Sequence, residues 1–172
     1  MSADNQQERP DWIQADYITG FVDGEGCFSI TIQKSNNVKL GIQVIPEFHV
    51  SQNSDRTEVL DAIKSRWNCG YIKENDRRNP RDMTSVYVVR NINDIRNKVI
   101  PFFDRYPIFS SKKQDFEKFK IVVGMMKRQE HLNKKGLIHI LEIAFSMNAN
   151  GKYRKLKLEN LVSFLESSET IR

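Results

Sequence analysis

The period of hydrophobic positions changes several times along the chain, and each change marks an element. Trp12, Ile13, Ala15, Ile18, Phe21 and Val22 are packed so densely into a helical stretch that the helix must be buried on more than one side. Asp11 is placed to cap it, and Gly24-Glu25-Gly26 stops it. Phe28, Ile30 and Ile32 then alternate with Ser29, Thr31 and Gln33, which is the period of a strand with one wet face. A polar turn at Asn36-Asn37 leads into a second extended segment from Lys39 to Gln52. Ser54 can cap a helix that has Glu58 in its first turns and Val59, Leu60, Ile63 and Trp67 along one side; Asn68-Cys69-Gly70 ends it. Residues 71–73 and 86–90 read as strands around a long basic loop, ENDRRNPRDMTS. A short helix follows from about Asn93 toward Pro101, a longer one from Ser111 to about Arg128, and another over 135–147. LKLENLVSFL adds a last amphipathic turn or two.

The first ten residues are polar and lack periodicity, so residues 1–10 are expected to be a disordered arm, and 11–172 a single domain with 151–172 as its tail. The order helix, strand, strand, helix, strand, strand, helix predicts an α+β fold, αββαββα. One four-stranded antiparallel sheet would have helices on one face, with further C-terminal helices. The other face would carry Ser29, Thr31, Gln33, Gln43, His49, Lys73 and Asn75, a hydrogen-bonding surface of the kind that enters a major groove.

Charge sharpens that expectation. The chain is basic, with a net charge of +5. Its excess lies in patches: five Lys/Arg against three acids over 71–90, eight against three over 111–135, and four against none over 151–157. A polyanion is the partner such patches suit, although Lys118, Lys120, Lys127 and Arg128 could equally be a solvated helix face. No apolar run approaches the ~20 residues of a membrane span, so no membrane partner is expected. The two cysteines, Cys27 and Cys69, form neither a disulfide framework nor a metal cluster and are expected to be reduced thiols.

The chemically informative segment is Ile18-Thr19-Gly20-Phe21-Val22-Asp23-Gly24-Glu25-Gly26. Gly20 and Gly24 each weaken a helix by about 1 kcal/mol relative to Ala, so keeping both implies that another backbone approaches that face. Asp23 and Glu25 stand at the helix C-terminus, where the macrodipole disfavours anions. A divalent cation shared between two such helices is the simplest compensation. A Gly-rich cap with two solvated acids is the alternative that these residues leave open.

ITGFVDGEG resembles the LAGLIDADG motif in its GFVDGEG form, with Glu25 where the consensus has Asp. FHVSQNSDR, IFSSKKQDFEKFK and EHLNKKGLIHILEIAFSMN are also similar to segments of homing endonucleases of that family, so the resemblance covers about 11–148. It implies a saddle-shaped sheet that reads DNA and, since the chain contains one motif, a C₂ homodimer packed through Gly20, Phe21, Asp23 and Gly24. It further implies Glu25 as the Mg²⁺-binding acid, with the Gly24 carbonyl also facing the metal and Ca²⁺ supporting binding without cleavage. Asp23 would be mainly structural at the helix interface. Gln52 and Arg56 would flank the scissile phosphate and order its water, and either Lys112 or Lys113 would offset its charge. By their alternation along the strands and their place in the basic loop, Ser29, Thr31, Ser35, Gln33, Gln43, His49, Lys73 and Asn75 are expected to face double-stranded DNA, with Arg77, Arg78 and Arg81 on its phosphates. His131 and His139 are expected to be surface or packing residues.

The activity implied is cleavage of both strands of a long, nearly palindromic site by two-metal phosphodiester hydrolysis. An RNA-splicing maturase that grips intron RNA, or a non-catalytic DNA-binding protein on the same scaffold, is the alternative. A two-carboxylate sugar hydrolase would leave the basic wet sheet face unexplained. The family's intron-encoded habit implies an organelle, mitochondrion or chloroplast, or a bacterial cytoplasm.

Overall fold

The computed structural model describes residues 11–76, 78–79, 81–152 and 154–167, with side chains from Ala15 onward. The expected arm at 1–10 and the expected phosphate contact Arg77 lie outside the described residues, as does the side chain of Asp11, the expected cap. Helix α1 (Asp11–Glu25) runs directly into strand β1 (Gly26–Lys34), which pairs with β2 (Ile42–Asn53). Helix α2 (Glu58–Trp67), strands β3 (Tyr71–Glu74) and β4 (Thr84–Val89), and a helical segment follow. That segment comprises α3 (Ile92–Asp94), a π-helical turn (Ile95–Val99) and α4 (Ile100–Arg105). Helices α5 (Lys112–Lys127), α6 (Lys134–Phe145) and α7 (Leu158–Ser167) complete the chain. The sheet is antiparallel in the order β1-β2-β4-β3, which makes the α+β expectation correct in class, strand number and pairing sense.

One face of the sheet is the core. Phe28, Ile30 and Ile32 from β1 and Val44, Phe48 and Val50 from β2 are buried on it, opposite Ala15, Ile18 and Val22 of α1 and Phe116, Phe119 and Val123 of α5. Phe28 is the hub, with ring centroids 5.3 Å from Phe48, 4.9 Å from Phe116 and 5.5 Å from Phe119, and an edge contact to Phe103 at 5.4 Å. Trp67 of α2 closes the far side against Phe48, Phe102 and Tyr87.

Several local expectations need correction. Ser54 is not a helix cap: its hydroxyl meets that of Ser85 at 2.9 Å and its N–H donates to Met83, so it ties the end of β2 to β4 and the helix begins at Glu58. The helix near Asn93 does not stop at Pro101 but runs to Arg105. The wider π turn precedes the proline, which therefore opens α4 where a missing N–H costs nothing. Strand β2 starts three residues later than Lys39, because Ser35, Val38 and Gly41 form a closed turn. Gly41 has φ +70°, and a Cβ there would come 2.9 Å from the Phe164 ring. Phe164 belongs to α7, which is a full helix rather than a turn or two: Leu161 and Leu165 are buried against the body, so this part of the 151–172 tail is structural.

Candidate active site and nucleic-acid interface

The elements converge at one end of the sheet. Glu25 closes α1, and Gly26, the first residue of β1, lies opposite Val50 of β2. Gln52 is therefore two residues beyond that pair, at the same end as the C-terminus of α1. The amino end of α5 comes to the same place. Lys112 Nζ donates to the carbonyls of Val22 at 2.9 Å and Gly24 at 3.2 Å, so the ammonium sits on the negative pole of α1. Burial lowers the pKa of Lys112, against the opposing pull of Asp23, Cys27, Glu25 and Asp115. Lys113, one residue on, is exposed on the outer side of the first turn of α5, so of the two lysines it is Lys112 that lies on the α1 carbonyls.

Asp23 also has its partners within the chain. Its carboxylate accepts the backbone N–H groups of Phe109 at 3.2 Å and Ser110 at 3.0 Å. Burial works to raise its pKa, but the bonds from Ser110 and Phe109, together with Lys112, hold it below the usual carboxylate range. The unfavourable placement of an acid at a helix C-terminus is thus offset by the loop into α5 and by the Lys112 ammonium. Glu25 differs: it is exposed, and among the described residues it accepts no hydrogen bond. Gln52 takes the N–H of Asn53 on its Oε1 at 2.7 Å, and among the described residues its amide N–H groups have no acceptor. Arg56 lies in the turn after β2, 3.8 Å from Asp55 with both side chains about 70 % exposed, a pairing too solvated to hold it.

Gly20 and Gly24 are the second feature of α1. Both are exposed, and a Cβ on either would meet nothing within 4 Å. No backbone of the described chain makes the close approach that their helical cost implies. With Tyr17, 61 % exposed, and Phe21, whose ring stacks on it at 6.5 Å and is partly packed against the core, they form a small-and-aromatic stripe along one side of α1. The same helix buries Ala15, Ile18 and Val22 on its other side, which is why its sequence reads as apolar all round.

The polar sheet face follows from the register. Its rows are Gln33–Gln43, Thr31–Ile45, Ser29–Glu47 with Arg90 next along β4, Cys27–His49–Val88–Tyr71, and Ser51–Val86–Lys73. All the expected residues from β1 and β2 therefore share one face, and Gln33 donates to Gln43 at 2.7 Å. Lys73 is on that face as expected, as is Asn75, whose amide is held by Asp82 at 2.8 Å. Ser35 instead folds into the hairpin turn, accepting the Asn37 N–H at 3.3 Å. Arg78 and Arg81 are exposed in the β3–β4 loop, which Asp76 and Asn79 shape by accepting their backbone N–H groups. Val86 and Val88 are buried although they belong to the wet face, so its centre has an apolar floor.

Sequence reading missed Glu47 and Arg90. Arg90 Nε donates to Glu47 Oε2, while His49 Nδ1 lies 3.2 Å from Glu47 Oε1, an ion-pair separation without aligned hydrogen-bond geometry. Burial would lower the pKa of His49, but Cys27 and Glu47 outweigh it and raise the pKa to about 9. His49 is accordingly a cation at neutral pH. Glu47 could have been found from its two-residue spacing from His49, and Arg90 from its two-residue spacing from Val88 in the strand expected over 86–90.

Several basic residues are internal ties. Lys120 pairs with Asp104 at 2.7 Å and Glu117 at 3.1 Å, Arg128 with Glu130 at 2.6 Å, and Lys118 donates to the Ser146 carbonyl at 2.7 Å. His139 is exposed and His131 partly buried, both in the roles expected for them, and both cysteines are free. No helix of the described residues is long and apolar enough to cross a membrane.

An antiparallel sheet with one polar face, entered from a Gly-rich helix ending in an exposed acid, is also the pattern that the family comparison matches. The sequence model of the LAGLIDADG endonuclease family matches residues 18–123, and the chain belongs to that family. It is similar to "Probable intron-encoded endonuclease 2" of Neurospora crassa, with 36 % identity over 131 residues, 76 % of this chain and 26 % of that protein. Among solved structures it resembles the homing endonuclease I-TnaI, at 37 % identity and a TM-score of 0.75 over 89 % of this chain and 96 % of that one. It also resembles the archaeal intron-encoded homing endonuclease I-Vdi141I complexed with DNA, at 30 % identity and a TM-score of 0.82 over 93 % and 99 %. The chain spans about a quarter of the length of the first curated relatives it matches.

Proposed function

We propose that the chain is one subunit of a site-specific, Mg²⁺-dependent DNA endonuclease that cuts both strands of a long, nearly palindromic site as a homodimer. The observation that carries this reading is Glu25, an exposed acid that accepts no hydrogen bond among the described residues, beside an anchored lysine and at the end of a helix whose Gly20 and Gly24 face meets none of the described residues. A second copy of α1 against that stripe brings two Glu25 carboxylates to one axis. The names of its relatives support the same reading: endonucleases described as intron-encoded, and I-Vdi141I described as complexed with DNA. An intron-borne gene in an organelle or a bacterium is consistent with them.

The donor set suits Mg²⁺, which takes one or two carboxylates and completes its shell with water and phosphate oxygens. Among the described residues of one chain no cluster of three His, Cys, Asp or Glu exists, so Glu25, its symmetry mate and the Gly24 carbonyls would hold the ion together with the DNA. Bound there, Mg²⁺ supplies Lewis-acid polarisation of the scissile phosphate. The remaining work falls to the chain. Lys112 places fixed positive charge at the α1 terminus, where charge builds on the phosphate. The free amide N–H groups of Gln52 orient water at the sheet end, and Arg56 can swing from Asp55 to a phosphate oxygen. The polar sheet rows lie along the major groove, while Arg78 and Arg81 reach phosphates from the β3–β4 loop.

The test compares wild type with Glu25→Gln on a library of near-palindromic duplexes, in Mg²⁺ and in Ca²⁺, with the ends sequenced. Double-strand cutting by wild type in Mg²⁺ alone, with tight binding but no cutting by the variant, is the expected result. Cutting retained by Glu25→Gln would remove Glu25 from the chemistry. Binding without any cutting by wild type would point to a DNA-binding regulator or an RNA partner.

A further inference from the structure

The Glu47 row poses a problem for any surface that approaches phosphates. Glu47 is an acid on the polar face of an inner strand, its side chain only 13 % exposed, and it would repel DNA unless its charge were used locally. It is used locally, because Arg90 Nε occupies one carboxylate oxygen and His49 stands against the other. Its charge is thus balanced by Arg90 and faced by His49 before any nucleic acid approaches. The guanidinium, by contrast, is only half consumed. With Nε held and half of its side chain exposed, Arg90 has both terminal NH₂ groups without an acceptor among the described residues and keeps them for a partner in a fixed orientation. Its place matters too: β4 is an inner strand of the order β1-β2-β4-β3, and Arg90 continues the row through Ser29 and Glu47. A side chain there meets base edges, whereas the exposed Arg78 in the β3–β4 loop can meet backbone.

We propose that Arg90 reads a guanine through its two terminal NH₂ groups and that Glu47 is the positioning residue that aims it. The planar fork matches the O6 and N7 acceptors of guanine, and no other base offers two acceptors in that arrangement to the major groove. Holding Nε before DNA arrives removes much of the rotamer freedom that a free arginine would lose on binding. The same clasp turns a repulsive acid into a specificity device, because a shortened or neutralised Glu47 would release Arg90 to the phosphates. This assignment rests on the DNA-binding reading above.

The experiment measures binding in Ca²⁺ to duplexes randomised across one half-site, for wild type, Arg90→Lys and Glu47→Gln, each first checked for an unchanged melting transition. Wild type should prefer guanine at one position by roughly ten- to a hundred-fold. Arg90→Lys should flatten that position and leave the others standing, and Glu47→Gln should weaken the preference at the same position. Two results would overturn the proposal: base preferences unchanged in both variants, or uniform weakening across all sequences, which would make Arg90 a phosphate contact. A wild type without preference at any position would instead sink the endonuclease reading itself.

Discussion

Replacing Gly20 by Ala has effects of opposite sign on the subunit and on the dimer, which makes it a sharp test of what α1 faces. Among the described residues of one chain the new methyl group meets nothing within 4 Å, so none of them clashes with it. Ala in place of Gly in a helix interior then stabilises the fold by about 0.8–1 kcal/mol, which at this chain length raises Tm by roughly 2–4 °C. In a dimer packed through the glycines, the methyl group is inserted twice, once from each copy. Overpacking costs about 1–3 kcal/mol per insertion, so the pair would weaken association by roughly 2–6 kcal/mol, or about thirty-fold to ten-thousand-fold in Kd. Sedimentation equilibrium gives the Kd, and melts at concentrations below it give the stability of the free subunit. A higher melting temperature with an unchanged Kd would refute the reasoning, because the Gly20 face would then not be an interface.

Three further predictions concern the site and the core. Lys112→Met should cut cleavage by about 10²–10³ with binding within a few-fold, whereas Lys113→Met should change cleavage little; equal losses in single-turnover assays would contradict the placement of Nζ on the end of α1. Phe28→Ala should cost about 3–5 kcal/mol in urea unfolding with an unchanged slope, and a loss under 1 kcal/mol would mean that the aromatic hub closes over the gap. His49 has its pKa raised above 6.5 to about 9 in the folded chain, so its stabilisation is complete below pH 6.5 and is lost as pH rises through 9. Wild type should therefore melt above His49→Gln at pH 6 and lose that advantage by pH 10, and an imidazole titration with a midpoint near 6.5 would disprove the pairing.

Segments with one buried and one wet face are legible in the pattern of residues alone. Residues 28–33 alternate because β1 has helices on one side only, and β2 from Gln43 to His49 does the same. Ser85 to Val89 carries no such signal, since β4 is inner and buried on both faces. The break in periodicity before Pro101 is visible, but its remedy is not, because a π turn is a response to packing rather than to local preference. Ser54 looks like a cap because caps are read from spacing, whereas its actual partner, Ser85, lies across the sheet.

By itself the sequence determined the Gly-rich helix with its terminal acids, the two-residue period of the first strands and the basic character of the chain, all consequences of neighbours along the backbone. Tertiary structure decided the rest. It set Lys112 rather than Lys113 on the α1 carbonyls, gave Asp23 its partners in the Phe109–Ser110 loop, and closed Glu47 on Arg90 across two strands. Those contacts join residues far apart in the chain, and their partners are selected by the sheet register and by the angle at which α5 meets α1. Periodicity along the sequence encodes which face is buried; it does not encode what lies across from it.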